Sequence, residues 1–276
     1  MAEAKSEKEV WPEWRSIVEH YNKTTLTYGR DIFPAISGVV RNMKRHRSDR
    51  YFAGVWEDSV LEDLAWVACD TEKARPSEWN APTWSWASVG GPVTFPNRRT
   101  FLSSRYTQEI EPLEQRRWFA GARITPVGQD ETAQLSAAHM VLIGPMIFAK
   151  LDGHADILSQ RQIYMATNKA NKLAFAADYD LEKEGPKFVP MKTTIYILDL
   201  CQEPKLKNGE RVDMSRKTFA LVLKRIHEVD ASDSQMAHFS SKPKDGTCER
   251  IGIMIEGPDQ ENPEGYVVAH GSGLCS

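Results

Sequence analysis

The chain has 276 residues, with 35 basic residues against 38 acidic ones and a formal net charge of −3. One domain of that length buries roughly three quarters of its unfolded surface, so folding needs no disulfide support. The even charge balance excludes a global pull toward nucleic acid or anionic membrane.

The first ten residues, MAEAKSEKEV, are polar and charged and lack the apolar stretch of a secretory signal. They are expected to be a disordered start at 1–10, followed by a single α+β domain over 11–276. Within it, 11–75 reads as a helical subregion and 76–276 as a β-rich one. In WRSIVEHY, Trp14, Ile17, Val18 and Tyr21 follow the spacing of one buried helix face. In DIFPAISGVVRNMKR, Asp31 is a candidate N-cap and Pro34 falls in the first turn, where a missing N–H costs little. Ile32, Ile36, Val39, Val40 and Met43 supply that helix's apolar side. A third helix is expected from Ser59-Val-Leu-Glu62, which spells a capping box, with Leu61, Leu64, Ala65 and Ala68 as its stripe. These three helices are expected to pack together.

Pro76 and Pro82 stop the helical rhythm. The segment APTWSWASVGG then reads as a strand that turns at Gly90-Gly91, with Trp84 and Trp86 on one face and Ser85 on the other. Further strands are expected at ARITPV, HMVLIGP, MIFAKL, KLAFAADY, TTIYILDLC, TFALVLKRI, ERIGIMIEG and GYVVAHG. The longest apolar run, residues 137–149, is too short to span a bilayer and is broken at Gly144-Pro145. It reads as two buried strands meeting at a turn. No helices alternate with the strands, so the β-rich part is expected to be an antiparallel sandwich or barrel.

Signatures of chemistry are absent. There is no GxGxxG after a strand, no GxxxxGK[ST], no HExxH and no GxSxG. The seven histidines are dispersed, and Cys69, Cys201, Cys248 and Cys275 form no CxxC pair. Neither a metal nor a cofactor is expected, and scattered free thiols suit the cytoplasm. His139 and His270 lie in or beside apolar strands, where a satisfied core or interface histidine outweighs a catalytic one. Asp178 and Asp180 alternate in AADYD as an acid–base pair would, though a solvated strand end explains them more simply. The basic run 41–50 lacks interleaved aromatics and reads as a solvated helix end, not a nucleic-acid patch.

Aromatics are the unusual endowment. All eight tryptophans precede residue 119, and Trp56, Trp66, Trp79, Trp84 and Trp86 fall close together. Such indoles form either a helix–strand core or the shaped wall of an apolar ligand pocket.

The same stretches carry a family resemblance. The motif W-x-x-I-V-x-x-Y (Trp14 to Tyr21) is followed by Leu26-Thr27, then DIFPAISG (31–38), YFAGVWED (51–58) and APTWSWAS (81–88). This order resembles the region that follows the core of fungal heterokaryon-incompatibility (HET) domain proteins. The resemblance is collinear over residues 11–90, with weaker echoes to CERIGIMI near residue 250. The family's N-terminal core motif, L-S-Y-x-W-G, has no counterpart in this sequence.

The resemblance implies a fungal source and frames two functions. One is a cofactor-independent enzyme of secondary metabolism that folds an apolar polyene, terpenoid or polyketide-like intermediate toward a cyclisation of the pericyclic, Diels–Alder kind. The other is a non-catalytic interaction or regulatory module. For the enzyme, Trp56, Trp84 and Trp86 are the expected pocket walls. Tyr51, Asp31 and Ser85 are the expected polar contacts, although helix capping already accounts for Asp31 and strand alternation turns Ser85 away. The expected partner is an apolar small molecule, with self-association as an option and neither nucleic acid nor a membrane span.

Overall fold

A computed structural model describes residues 7–24, 26–95, 119–144, 146–155, 163–167, 172–200, 218–226 and 247–256. The chain opens with α1 (Glu7–Tyr21) and α2 (Ile32–Met43), joined through a 3-10 turn at Gly29–Asp31. Helix α1 begins inside the stretch expected to fray. Its inward side carries Trp14 and Val18, and α2 buries Ile32, Phe33, Ile36, Val40 and Met43. Val39 of the expected stripe is exposed instead. Asp31 precedes α2 but its side chain makes no capping bond.

The expected three-helix cluster is not what forms. The third helix, α3 (Val60–Asp63), is a single turn. Ser59 does not cap it, because its hydroxyl donates to Asp63 Oδ2 at 2.9 Å, and Asp63 also accepts from the Trp56 amide at 3.0 Å and from Arg15 at 3.1 Å. The chain beyond α3 is extended, since Val67 and Ala68 form β3 (Val67–Ala68) with β4 (Val93–Thr94). Between α2 and α3 runs a tight hairpin of β1 (Tyr51–Phe52) and β2 (Val55–Trp56). Both of its turn residues have positive φ, 46° at Ala53 and 97° at Gly54, as a two-residue hairpin turn requires. A Cβ on Gly54 would meet Trp86 Nε1 at 2.5 Å, so no other residue fits there.

β3 and β4 clamp the base of a long excursion, residues 69–92. APTWSWAS lies in it and is not a strand. Ser85 N donates to Pro82 O at 2.9 Å, and a 3-10 turn follows at Trp86–Ser88 with Ser85 Oγ accepting from Ala87 N at 3.2 Å. Pro82 starts a turn here, and the hydroxyl of Ser85 then offers the backbone a local partner that a ladder would have excluded.

The β-rich part closes into an antiparallel six-stranded barrel. Its strands are β7 (Met146–Ala155), β8 (Ile163–Thr167), β9 (Lys172–Ala177), β10 (Thr194–Asp199), β11 (Thr218–Arg225) and β12 (Cys248–Glu256), in the order β10-β11-β12-β9-β8-β7. β8 has no counterpart among the expected strands, and GYVVAHG lies outside the described residues. The hairpin of β5 (Phe119–Pro126) and β6 (Leu135–Leu142) is a sheet of its own that packs against the outside of the barrel. The run 137–149 therefore splits between two sheets, and β6 is not a buried strand. His139 on it is exposed.

The barrel lumen is filled. Leu151, Ile195, Val222 and Ile251 have no exposed surface, and Leu181 and Val189 join them from the loop after β9. Six strands enclose room for side chains only. The outer faces of β10, β11 and β12 are also covered, since Leu198, Phe219, Leu221 and Ile253 pack on Phe52, Val55, Leu61 and Leu64. Burial on both faces explains why TFALVL and RIGIMI are continuous apolar runs.

Candidate functional site

Trp14, Tyr51, Trp56 and Trp86 form an edge-to-face cluster with ring centroids 5.1 to 6.5 Å apart. Trp14 and Trp86 both donate to the Gly54 carbonyl, at 3.2 and 3.0 Å. Trp56 and Trp86 have 0% exposure, so neither borders space large enough for a water molecule. They are core, not pocket walls. Tyr51 is 3% exposed and Ser85 0%, so both serve the core, while Asp31 is exposed beside α2. Trp84 is half-buried and gives its carbonyl to Trp66 Nε1 at 3.0 Å.

A different set of residues meets where the 69–92 excursion touches the barrel. In β12 the register slips, so that Val222 pairs with Gly252 and Leu223 with Arg250, leaving Ile251 as a bulge. The bulge turns Arg250 out of the barrel and into this seam. Gly252 beside it allows close passage of β9, since a Cβ there would meet Ala176 O at 2.5 Å. Arg250 is 1% exposed and fully engaged. It donates to Leu64 O at 2.6 Å, to Trp66 O at 2.7 Å and to both oxygens of Asp178 at 3.1 Å. Its guanidinium lies 3.5 Å from the Trp66 ring centroid.

Asp178 is thus not a solvated strand end; it is 1% exposed and sits between two arginines. The second is Arg75, 6% exposed, which reaches Asp178 Oδ2 through Nη2 at 3.3 Å. Its guanidinium lies 4.6 Å from the Tyr179 ring. Arg75 Nε and Nη1 have no hydrogen-bond partner although both are buried. Asp180 is separate from this group and serves a turn, accepting from Glu182 N at 3.0 Å and Lys183 N at 3.2 Å.

Arg75 lines a cavity of about 130 Å³ with Pro76, Trp79, Ala81, Thr83 and Lys187 among its neighbours. Lys187 is bonded to Glu249 at 3.0 Å, and Lys224 approaches the same carboxylate at 3.1 Å. Burial alone would raise the Glu249 carboxyl, but the bond and charge of Lys187, then those of Lys224, hold it below its ordinary value of 4.5. Trp79 is 47% exposed.

The chain matches no family model, no curated protein and no solved structure.

The chemistry of the cavity follows from its lining. It contains one Glu, one Lys and one Arg but no His or Cys, so it offers no side chain whose ordinary titration falls near neutrality. Among the described residues no group of His, Cys, Asp and Glu is placed to hold a metal. Cys69 and Cys248 are not joined in a disulfide, and Cys201, Cys275 and His270 lie outside the described residues. Arg47 of the basic run is buried too, paired with Asp49 at 2.7 Å and lying 4.4 Å from the Trp56 ring. Among the described residues no helix is long and apolar enough to cross a membrane.

Sequence reasoning missed Arg75, Arg250 and Lys187. Arg250 carried a signal, because a lone arginine within the apolar run of β12 is costly unless paired. Arg75 carried none, since ARPSEW reads as any polar turn.

Proposed function

We propose that this chain is a non-catalytic recognition module whose seam cavity receives a small anionic group. The observation that carries this reading is the charge count at the seam. Two buried guanidinium groups share one carboxylate, and Arg250 holds both of its oxygens. Arg75 lines the cavity with a single 3.3 Å bond to Asp178 and two buried nitrogens without acceptors. A guanidinium that shares its one carboxylate with a second arginine is incompletely matched, and a further counter-charge would offset part of its desolvation.

The cyclase reading asks for an apolar chamber. Of the indoles expected as its walls, Trp56 and Trp86 expose no surface, and the barrel lumen is filled by side chains, so neither interior lends it support. The stretch APTWSWAS, which carries part of the resemblance to HET proteins, supplies Ala81, Thr83 and Ser88 to the cavity. A HET relationship, a fungal source and a cytoplasmic location accompany the recognition reading as parts of the proposal.

The test is thermal unfolding in chloride-free buffer with increasing sodium formate. A ligand that binds only the folded state raises the melting temperature with concentration. Wild type should respond and Arg75→Met should not. An equal response from both, or no response from wild type, overturns the reading.

A further inference from the structure

We infer that the ligand is a free carboxylic acid, a monoanion carried on one flat apolar ring. The inference rests on the anion-recognition reading and names its ligand class.

Charge sets the valence. Around the cavity, Arg75, Arg250, Lys187 and Lys224 stand against Asp178, Glu249 and Glu78. Arg75, Lys187 and Glu78 line the cavity, and with the paired groups behind them the network holds four cations against three carboxylates, so one negative charge neutralises it. A dianionic phosphate overshoots that balance and also meets Glu78 in the lining.

Size sets the bulk. A cavity of about 150 Å³ accommodates a benzene ring. The 130 Å³ here holds one ring-sized group at the inner end of a cleft that opens to solvent beside Trp79. Its lining also divides by chemistry. Arg75 and Lys187 supply the cationic side, while Pro76, Ala81 and the indole of Trp79 supply apolar surface. Trp79 is the exception among the tryptophans of residues 56–86, because 47% of it stays open to solvent instead of joining the core. An exposed indole beside a buried cation suits a planar acid that offers a carboxylate at one end and a π-face along its body. The guanidinium of Arg75 lies against Tyr179 at 4.6 Å, so it is already held in place before a ligand arrives.

Isothermal titration calorimetry on the full chain in chloride-free buffer at neutral pH tests this. The probes are benzoate, acetate, inorganic phosphate and acetyl-phenylalanine, the last standing for a peptide C-terminus. Benzoate should bind with one-to-one stoichiometry and more than tenfold tighter than phosphate. Acetyl-phenylalanine, too large for the cavity, should bind more weakly than benzoate. Arg75→Met should weaken benzoate by more than about tenfold, the loss of a charged hydrogen bond. Trp79→Ala, a change on the exposed rim that leaves the fold intact, should weaken benzoate by about three- to tenfold and leave acetate unchanged.

Phosphate binding tighter than benzoate, with both lost in Arg75→Met, would overturn the carboxylate assignment and keep the anion site. Tighter binding of acetyl-phenylalanine would move the ligand to a chain terminus and overturn the free acid. Benzoate affinity unmoved by Trp79→Ala would overturn the ring. Absence of binding by every probe would overturn both the ligand class and the recognition reading.

Discussion

The indole core gathers residues from α1, α2 and the stretch 51–89 and exposes almost nothing, whereas the charged seam is assembled from residues 75, 178, 187 and 249–250 and opens to solvent at Trp79 and Lys187. In the core, Trp14 and Trp86 share the Gly54 carbonyl and the rings meet edge to face. Among its unmatched donors, Trp56 Nε1, Trp84 Nε1 and the Tyr51 hydroxyl are neutral. Such groups cost about 1–3 kcal/mol each, which aromatic burial outweighs. In the seam the unmatched nitrogens belong to a guanidinium that keeps its charge. The difference teaches that a concentration of large aromatics marks the core here, while an excess of one buried charge marks the place where a ligand would matter.

The comparison can be broken first in the core. Trp86→Ala removes a fully buried indole together with its bond to Gly54, and should destabilise the chain by about 3–5 kcal/mol in urea unfolding. A loss below about 1 kcal/mol would mean that the cluster is not the core. Next comes the engaged arginine of the seam. Arg250→Met strips both oxygens of Asp178 and the carbonyls of Leu64 and Trp66 of their donor. It should cost about 3–5 kcal/mol by the same measurement. Retained stability would show that Arg75 can replace Arg250, and the two arginines would then not be distinct.

A smaller effect sharpens the electrostatics. The Glu249 carboxyl is held below its unfolded value, so its contribution is present above about pH 4.5 and disappears as acid protonates it. Stability should fall as pH drops below about 4.5, and Glu249→Gln should flatten that part of the curve. An unchanged slope in the variant would assign the acid sensitivity elsewhere.

Much of the fold was legible because periodicity reports burial. The faces of α1 and α2, and the barrel strands other than β8, follow from apolar spacing. Three features were not legible, each for a physical reason. Ser59 bonds Asp63 instead of capping α3, and the apolar residues beyond this single turn go into the pairing of β3 with β4. TWSWAS alternates like a strand, but Pro82 and the Ser85 hydroxyl satisfy its backbone in turns. Pairing between Arg75 and Asp178 spans 103 residues, and Arg250 joins it through a bulge at Ile251 that no local pattern announces.

The candidate site was less legible than the fold. Trp56, Trp84 and Trp86 were singled out for their size, and size is what cores select. Trp79 belonged to the same group of indoles and is the member that borders the cavity. The charged partners of the seam come from four separate segments, at residues 75, 178, 187 and 249–250.

The most direct measurement compares wild type with Arg75→Met by urea unfolding in low-salt, chloride-free buffer. Arg250 still holds Asp178 in the variant, so removing the surplus cation should leave stability unchanged or raise it by up to about 1 kcal/mol. A loss of 2 kcal/mol or more would contradict the central claim, because Arg75 would then be a structural partner of Asp178 and not a cation held for a ligand.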